Sequence, residues 1–367
     1  MSKVEMSEPA QNVLTQDSFD TLFRLTVVKP LLNAIPRSVT PNFITFLNIP
    51  VRSTVLLLSY LQSQQFFSTS CAVIALFTIS ILFLLNEVID DLDGMQARKT
   101  DQYSKFGEIF DHVLDAYGVP ILGVAVPLAL QLSPLSVVAG LWGPTLIYNL
   151  QLILYRRTGT FVEPLVSGAR SACVGSISVV VIGILNIILG RHSTFMSIVS
   201  MFAEIALLVG CFQNISFYIL RIWQDHVENK ENRDSLISEC GHFLLTCITY
   251  SSLFLSQYNF YLLSSLSLTH PLVANELIIT PLSLTSITTG YSSIVNGQEV
   301  QNIVLNKPKS SFVKHLSLGL VITLLCAFLF NHLNYIGCSI HYAQNTAGVL
   351  MIVCQGLSLV RCFNRGQ

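Results

Sequence analysis

Eight of the 21 acidic residues fall between positions 87 and 115: Glu87, Asp90, Asp91, Asp93, Asp101, Glu108, Asp111 and Asp115. Asp90 and Asp93 are three apart, so a helix would place them on one face, and Ala97 continues that stripe. Gly107, Asp111 and Asp115 recur at steps of four, which lines them along one face of a second helix. A connection of about ten residues would let the two helices pack as an antiparallel hairpin, with four carboxylates converging. Carboxylates brought so close repel one another unless a counter-charge joins them, and a divalent cation is the natural one. Oxygen-only ligands favour Mg²⁺, Mn²⁺ or Ca²⁺ over Zn²⁺. Such ions bridge diphosphate oxygens and stabilise charge on attacking and leaving groups. Gly94, Ala97 and Gly107 leave room for a bulky group between the helices, and Arg98 offers a fork suited to phosphate. The residues therefore point to a metal–diphosphate site. A solvated acidic loop would account for Asp91, Asp101 and Glu108. It does not account for Asp111 and Asp115, which stand beside Phe110, Val113 and Leu114 where the chain is already apolar; acids in such positions are functional candidates by default.

The elements that must hold these residues are membrane helices. Hydrophobic residues make up 51% of the chain and charged ones only 11%, against about 25% charged in an ordinary soluble domain. A formal net charge of −1 argues against nucleic acid as the main partner. The expected fold is all-α, a polytopic membrane protein with about ten transmembrane helices, each needing about 20 apolar residues. They are placed near 42–63, 68–89, 107–131, 135–155, 172–190, 194–220, 238–258, 271–292, 312–331 and 343–361. Residues 1–18 read as a disordered tail, with no cleavable signal. Residues 19–40 carry Phe19, Leu22, Phe23, Val27, Leu31 and Leu32 at roughly helical spacing, interleaved with Asp20, Arg24 and Lys29. They read as an interfacial helix lying along the membrane. Thr40 and Pro41 read as the N-cap and first position of span one. Spans one to six (41–225) form the expected catalytic core, and 226–367 a C-terminal helical bundle.

Eighteen of the 20 basic residues fall before span one or after an even-numbered span. The positive-inside rule then puts both termini, and the acidic turn, in the cytosol. Arg191 falls on the other side and Arg52 inside span one, where it could reach a phosphate, pair with Glu87 or Glu204, or simply snorkel to the interface. The nine cysteines form no CxxC pair and read as small buried hydrophobes.

These residues complete a pattern. The run Asp-x2-Asp-Gly-x2-Ala-Arg-x8-Gly-x3-Asp-x3-Asp resembles the signature of the CDP-alcohol phosphotransferases, and Asp90, Asp93, Gly94, Ala97, Arg98, Gly107, Asp111 and Asp115 match it without departure. The chain looks most like the eukaryotic choline/ethanolamine phosphotransferases or the related ceramide phosphoethanolamine synthase. Pro41-Asn42-Phe43-Ile44-Thr45, Gln96-Ala97-Arg98-Lys99-Thr100, Gly107-Glu108-Ile109-Phe110-Asp111-His112 and Thr158-Gly159-Thr160-Phe161 resemble further elements of that group, and the recognisable match spans roughly 40–165. The resemblance implies that Asp90, Asp93, Asp111 and Asp115 hold two Mg²⁺ or Mn²⁺ ions, with Asp115 alternatively a base. Gly94, Ala97, Arg98 and Gly107 would hold the cytidine diphosphate. A lipid hydroxyl, of diacylglycerol or ceramide, would take phosphoethanolamine or phosphocholine from CDP-ethanolamine or CDP-choline and release CMP. His112 and His242 are secondary candidates near the acceptor. The resemblance also implies an ER or Golgi membrane; relatives are often dimers, so a homodimer is one possible assembly and the oligomeric state stays open. The family's acidic stretch after Thr160 is replaced by Val162-Glu163-Pro164 and Arg170, a departure that bears on the acceptor more than on the chemistry.

Two rival readings use the same residues. An intramembrane prenyltransferase would use Asn86-x3-Asp90 and Asp111-x3-Asp115, but its two motifs lie on distant helices and Asp-Gly-x2-Ala-Arg would be unexplained. A transporter would use Glu204 and Glu276 as midplane acids, but no inverted repeat or broken-helix pair is evident.

Overall fold

A computed structural model describes residues 18–190 and 193–228, together with the isolated positions 243, 247, 296, 299, 300 and 302–305. Among the described residues there are helices and no strands. α1 (Ser18–Phe23), a π-helical turn (Arg24–Val28) and α2 (Lys29–Ala34) run on from one another. α3 (Pro41–Phe46) and α4 (Asn48–Ser63) follow, then α5 (Thr69–Thr100), α6 (Lys105–Ala129), α7 (Pro134–Thr158), α8 (Gly168–Leu189) and α9 (Thr194–Glu228). Six segments are long and apolar enough to cross a membrane: Pro41–Ser63, which joins α3 to α4, and one on each of α5 to α9. They coincide with the first six expected spans. The four expected beyond residue 228, and His242, lie outside the described residues save for isolated positions.

The helix ends follow from local sequence. Thr40 takes an extended N-cap conformation before Pro41, although its hydroxyl makes no capping bond. Ser104, Ser133 and Ser167 do cap, accepting from the backbone N–H groups of Gly107, Ser136 and Arg170. α7 ends on Gly159 in the left-handed region at φ 70°, where a side chain would be strained. α5 ends on Asp101, also left-handed, so only residues 101–104 link α5 to α6. At 1.5 Å per residue α5 is roughly 48 Å long, well beyond a hydrocarbon core of roughly 30 Å. Its final turns, which carry the aspartates, therefore stand at one end of the bundle.

The expected hairpin of α5 on α6 is not what forms. α4 packs on both α5 and α6 and lies between them. Beyond them α5 packs on α8 and α6 on α7, α7 packs on α9, and α8 touches α9, so the six spans close into a ring. The cause is visible in span one. Thr45, Asn48, Arg52, Val55, Ser59 and Gln62 are all buried, and their spacing of three and four draws one stripe along the helix. All but Val55 are polar. A membrane helix hides such a stripe inside the bundle and gives lipid its apolar face, here Phe43, Phe46 and Leu57. Farther along, α6 and α7 cross at Gly123 and Gly140. A Cβ on either would collide with the other's carbonyl oxygen, the close approach that paired small residues allow.

The N-terminal helical run lies across the end of the bundle that carries the aspartates. Phe23, Val28 and Leu32 bury against Ile44, Val88, Ile89, Leu92 and Ala169. Leu22, Leu25 and Leu31 are exposed, an amphipathic division of the kind an interfacial helix needs.

Candidate metal and diphosphate site

Asp90 and Asp93 lie near the C-terminal end of α5, and Asp111 and Asp115 in the second and third turns of α6. The structure brings all four together although their helices are separated by α4. Asp90 lies within electrostatic reach of Asp115 and Asp111, and Asp93 within reach of both as well. Asp93 is 6% exposed and accepts a 2.6 Å hydrogen bond from the hydroxyl of Thr45. Asp90 Oδ1 is buried without a hydrogen-bond partner. The ligand atoms of Asp111, His112 and Asp115 lie within 4.8 Å of one another, so these three could hold a metal ion. Carboxylate-rich donors and an orphaned buried carboxylate oxygen suit a hard divalent cation.

Between the two aspartate pairs sits Arg52 of α4, 3% exposed. Its Nε donates to Asn86 Oδ1 at 2.7 Å, Nη1 donates to the Leu114 carbonyl, and Nη2 donates to Asp115 Oδ1 at 3.0 Å. Nη2 also stands 3.9 Å from Asp90 Oδ1. Gly118 makes the seat: a Cβ there would collide with the guanidinium. Arg52 does not pair with Glu87 or Glu204, the partners considered from sequence. Glu87 packs against Gly168 at the start of α8, and Glu204 accepts from the backbone N–H of Ser133 at 2.8 Å.

The other residues singled out line the same end. Gly94 and Ala97 are half-buried on α5, and Arg98 is exposed with its guanidinium folded back towards Gly94. Gly107 opens α6, where a Cβ would come within 3.0 Å of Asn42 Oδ1 and 3.1 Å of Ser104 Oγ. A side chain there would press on both the cap and span one. His112 stacks on Phe161 with ring centroids 4.7 Å apart. The hydroxyl of Tyr148 donates to its backbone carbonyl at 2.6 Å.

Two further anchors lie inside the signature itself. Gln96 Nε2 donates to the carbonyls of Pro36 and Val39. Lys99 Nζ donates at 2.7 Å to those of Leu32 and Ile35, at the end of α2. These bonds fix the rotation of α5 and so the direction in which Asp90, Asp93 and Ala97 face. Beside them Arg24 pairs with Asp91 at 2.7 Å and Glu163 at 3.2 Å. Burial works against the Arg24 charge, but the two carboxylates outweigh it and hold the guanidinium above its ordinary pKa. The sequence shows Thr45, Gln96 and Lys99 only as parts of motifs and Asn86 only as part of a rival one, with no positioning role for any of them, and it does not single out Gly118. The polar stripe of span one is the signal that could have found Thr45.

A family model described as CDP-alcohol phosphatidyltransferase matches residues 38–221, half of the chain. It reaches through most of the sixth span, beyond the stretch near 40–165 where the motifs are recognisable by eye. A Dictyostelium discoideum protein named as an uncharacterized member of CDP-alcohol phosphatidyltransferase class-I is 26% identical over 42% of this chain and 43% of its own. Cholinephosphotransferase 1 of Bos taurus is 30% identical over 28% of this chain and 25% of its own. Choline/ethanolaminephosphotransferase 2 of Arabidopsis thaliana is 34% identical over 25% of this chain and 24% of its own. The chain thus spans less than half the length of each of these relatives.

Proposed function

Because the chain belongs to the CDP-alcohol phosphatidyltransferase family, we propose that it transfers phosphoethanolamine or phosphocholine from a CDP-alcohol to a lipid hydroxyl, releasing CMP. The observation that carries this reading is the convergence of Asp90, Asp93, Asp111 and Asp115 from two helices onto one end of a membrane bundle. In this reading the four aspartates hold two Mg²⁺ or Mn²⁺ ions, with His112 beside them. Bound there, such ions would offset the diphosphate charge and stabilise the leaving group. Gly94, Ala97 and Gly107 give the diphosphate room, and Arg98 meets its oxygens with paired donors. The lipid oxygen bonds to the phosphorus bearing the head-group alcohol as the bond from that phosphorus to CMP breaks. Asp115 or His112 takes the hydroxyl proton, since a lipid alcohol is a weak nucleophile at neutral pH.

Ethanolamine is the preferred head group. Choline recognition calls for open aromatic faces around a quaternary ammonium. Among the described residues, Phe161 lies on His112 with Tyr155 edge-on to it, so these rings cover one another. A carboxylate can hydrogen-bond a primary ammonium, and Glu108 stands there, accepting from the Tyr155 hydroxyl at 2.8 Å. The acceptor is diacylglycerol or ceramide. The protein works in an ER or Golgi membrane with both termini and the signature in the cytosol. The deciding experiment is a matrix of CDP-ethanolamine and CDP-choline against diacylglycerol and ceramide, with purified protein and Mn²⁺ and products read by mass. CMP release with CDP-ethanolamine and one of the two lipids is expected. Absence of CMP release from every pair would refute the proposal.

A further inference from the structure

We propose that Arg52 is a built-in counter-cation of the aspartate cluster, one that competes with divalent metal for Asp115 and Asp90. The proposal rests on the reading of the four aspartates as metal ligands. Its grounds are geometric. A buried arginine in a membrane span needs anionic or carbonyl partners, and Arg52 has them on both flanking helices: Asn86 on α5, and Asp115 and the Leu114 carbonyl on α6. The same Nη2 that donates to Asp115 also faces Asp90 at 3.9 Å. One nitrogen thus stands between two signature carboxylates drawn from two helices, where a metal ion would otherwise supply the charge. The residue is held there by fixed features. Asn86 and the Leu114 carbonyl orient the fork, and Gly118 clears its place.

Two consequences follow from simple electrostatics. Without metal, the guanidinium offsets the mutual repulsion of the carboxylates, so the site keeps its shape. With metal, a fixed positive charge hydrogen-bonded to Asp115 and 3.9 Å from Asp90 opposes a dication placed on them. Metal alone then binds weakly, and an anionic nucleotide arriving with it restores the balance of charge. Arg52 is thereby a positioning residue that couples occupancy by metal to occupancy by donor.

The test is Mn²⁺ binding to purified metal-free protein without nucleotide, read by electron paramagnetic resonance. Arg52→Gln removes the charge, Gly118→Ala displaces the guanidinium from its seat, and Arg52→Lys keeps a cation in place. Arg52→Gln is expected to bind Mn²⁺ at least about tenfold more tightly than wild type, and Gly118→Ala several-fold more tightly. Arg52→Lys should stay within about threefold of wild type. Unchanged or weaker Mn²⁺ binding in Arg52→Gln overturns the proposal, as does an equal gain in Arg52→Lys. If Arg52→Gln does not fold, Gly118→Ala decides by the same criterion. Asp111→Asn distinguishes failure of the metal site from failure of the Arg52 role. If it leaves Mn²⁺ binding intact, the metal reading itself fails. If it abolishes binding while Arg52→Gln brings no gain, only the role of Arg52 fails.

Discussion

The hydroxyl of Thr45 in α3 donates a 2.6 Å hydrogen bond to Oδ2 of Asp93 in α5, and both residues are buried. Span one thus holds one signature carboxylate directly, while Arg52, two turns on, holds another. Groups that orient ligand carboxylates carry weight in metal sites, where their loss typically costs about 10–100-fold in affinity or activity. Thr45→Val keeps the shape of the side chain and removes the donor. It should lower turnover by about tenfold or more and raise the Mn²⁺ concentration needed for half-maximal rate. A variant with the wild-type rate and metal dependence would show that this bond is only structural.

Asp111→Asn removes one charge from the centre of the cluster without changing its volume. Turnover should fall by about a thousandfold or more, because metal and diphosphate are no longer held together. Stability in detergent should not fall, since the substitution relieves repulsion among Asp111, Asp115 and Asp93. A thermal melt beside the rate assay checks both halves of this expectation.

The two aspartate pairs were legible because helical periodicity reveals which residues share a face. Asp90 with Asp93, and Asp111 with Asp115, are spaced for that whatever surrounds them. Their shared neighbour α4 was not legible, since the packing order of helices is a tertiary fact. The expected direct hairpin therefore gave way to a three-helix arrangement. Span one did carry a usable signal in the stripe of Thr45, Asn48, Arg52, Ser59 and Gln62, which is polar where lipid contact would forbid it. The partners of Arg52 were beyond reach for the same tertiary reason. Gln96 and Lys99 were hidden differently. They lie among the signature residues but face the other way, towards the carbonyls of Leu32, Ile35, Pro36 and Val39.

Lys99→Met tests that outward face. The substitution keeps the apolar stem and deletes two charge-assisted bonds to the end of α2. Hydrogen bonds to a charged group contribute about 1.5–3 kcal/mol each. The variant should therefore melt several degrees lower and lose part of its activity as α5 rotates more freely. An unchanged melting temperature would mean that the N-terminal helices do not brace the signature.

Chelation gives a complementary outcome. Removing divalent metal should stop turnover yet leave the protein folded, because Arg52 still donates to Asp115 and keeps its charge 3.9 Å from Asp90. Circular dichroism in excess chelator should match that of the metal-loaded protein, and Mn²⁺ or Mg²⁺ should restore the rate. Loss of helicity on chelation would mean that metal, and not the guanidinium, holds the cluster together.

If the aspartate cluster directs a lipid hydroxyl to the phosphorus bearing the head group, that phosphorus must end in lipid. The most direct measurement follows a CDP-ethanolamine donor labelled with ³²P in the phosphate next to ethanolamine, given to purified protein with Mn²⁺ and a lipid acceptor. The label should pass into the organic phase, dependent on Mn²⁺ and abolished in Asp111→Asn, while CMP forms unlabelled. Label that stays in the aqueous phase, or that reaches lipid equally well in Asp111→Asn, would contradict the account.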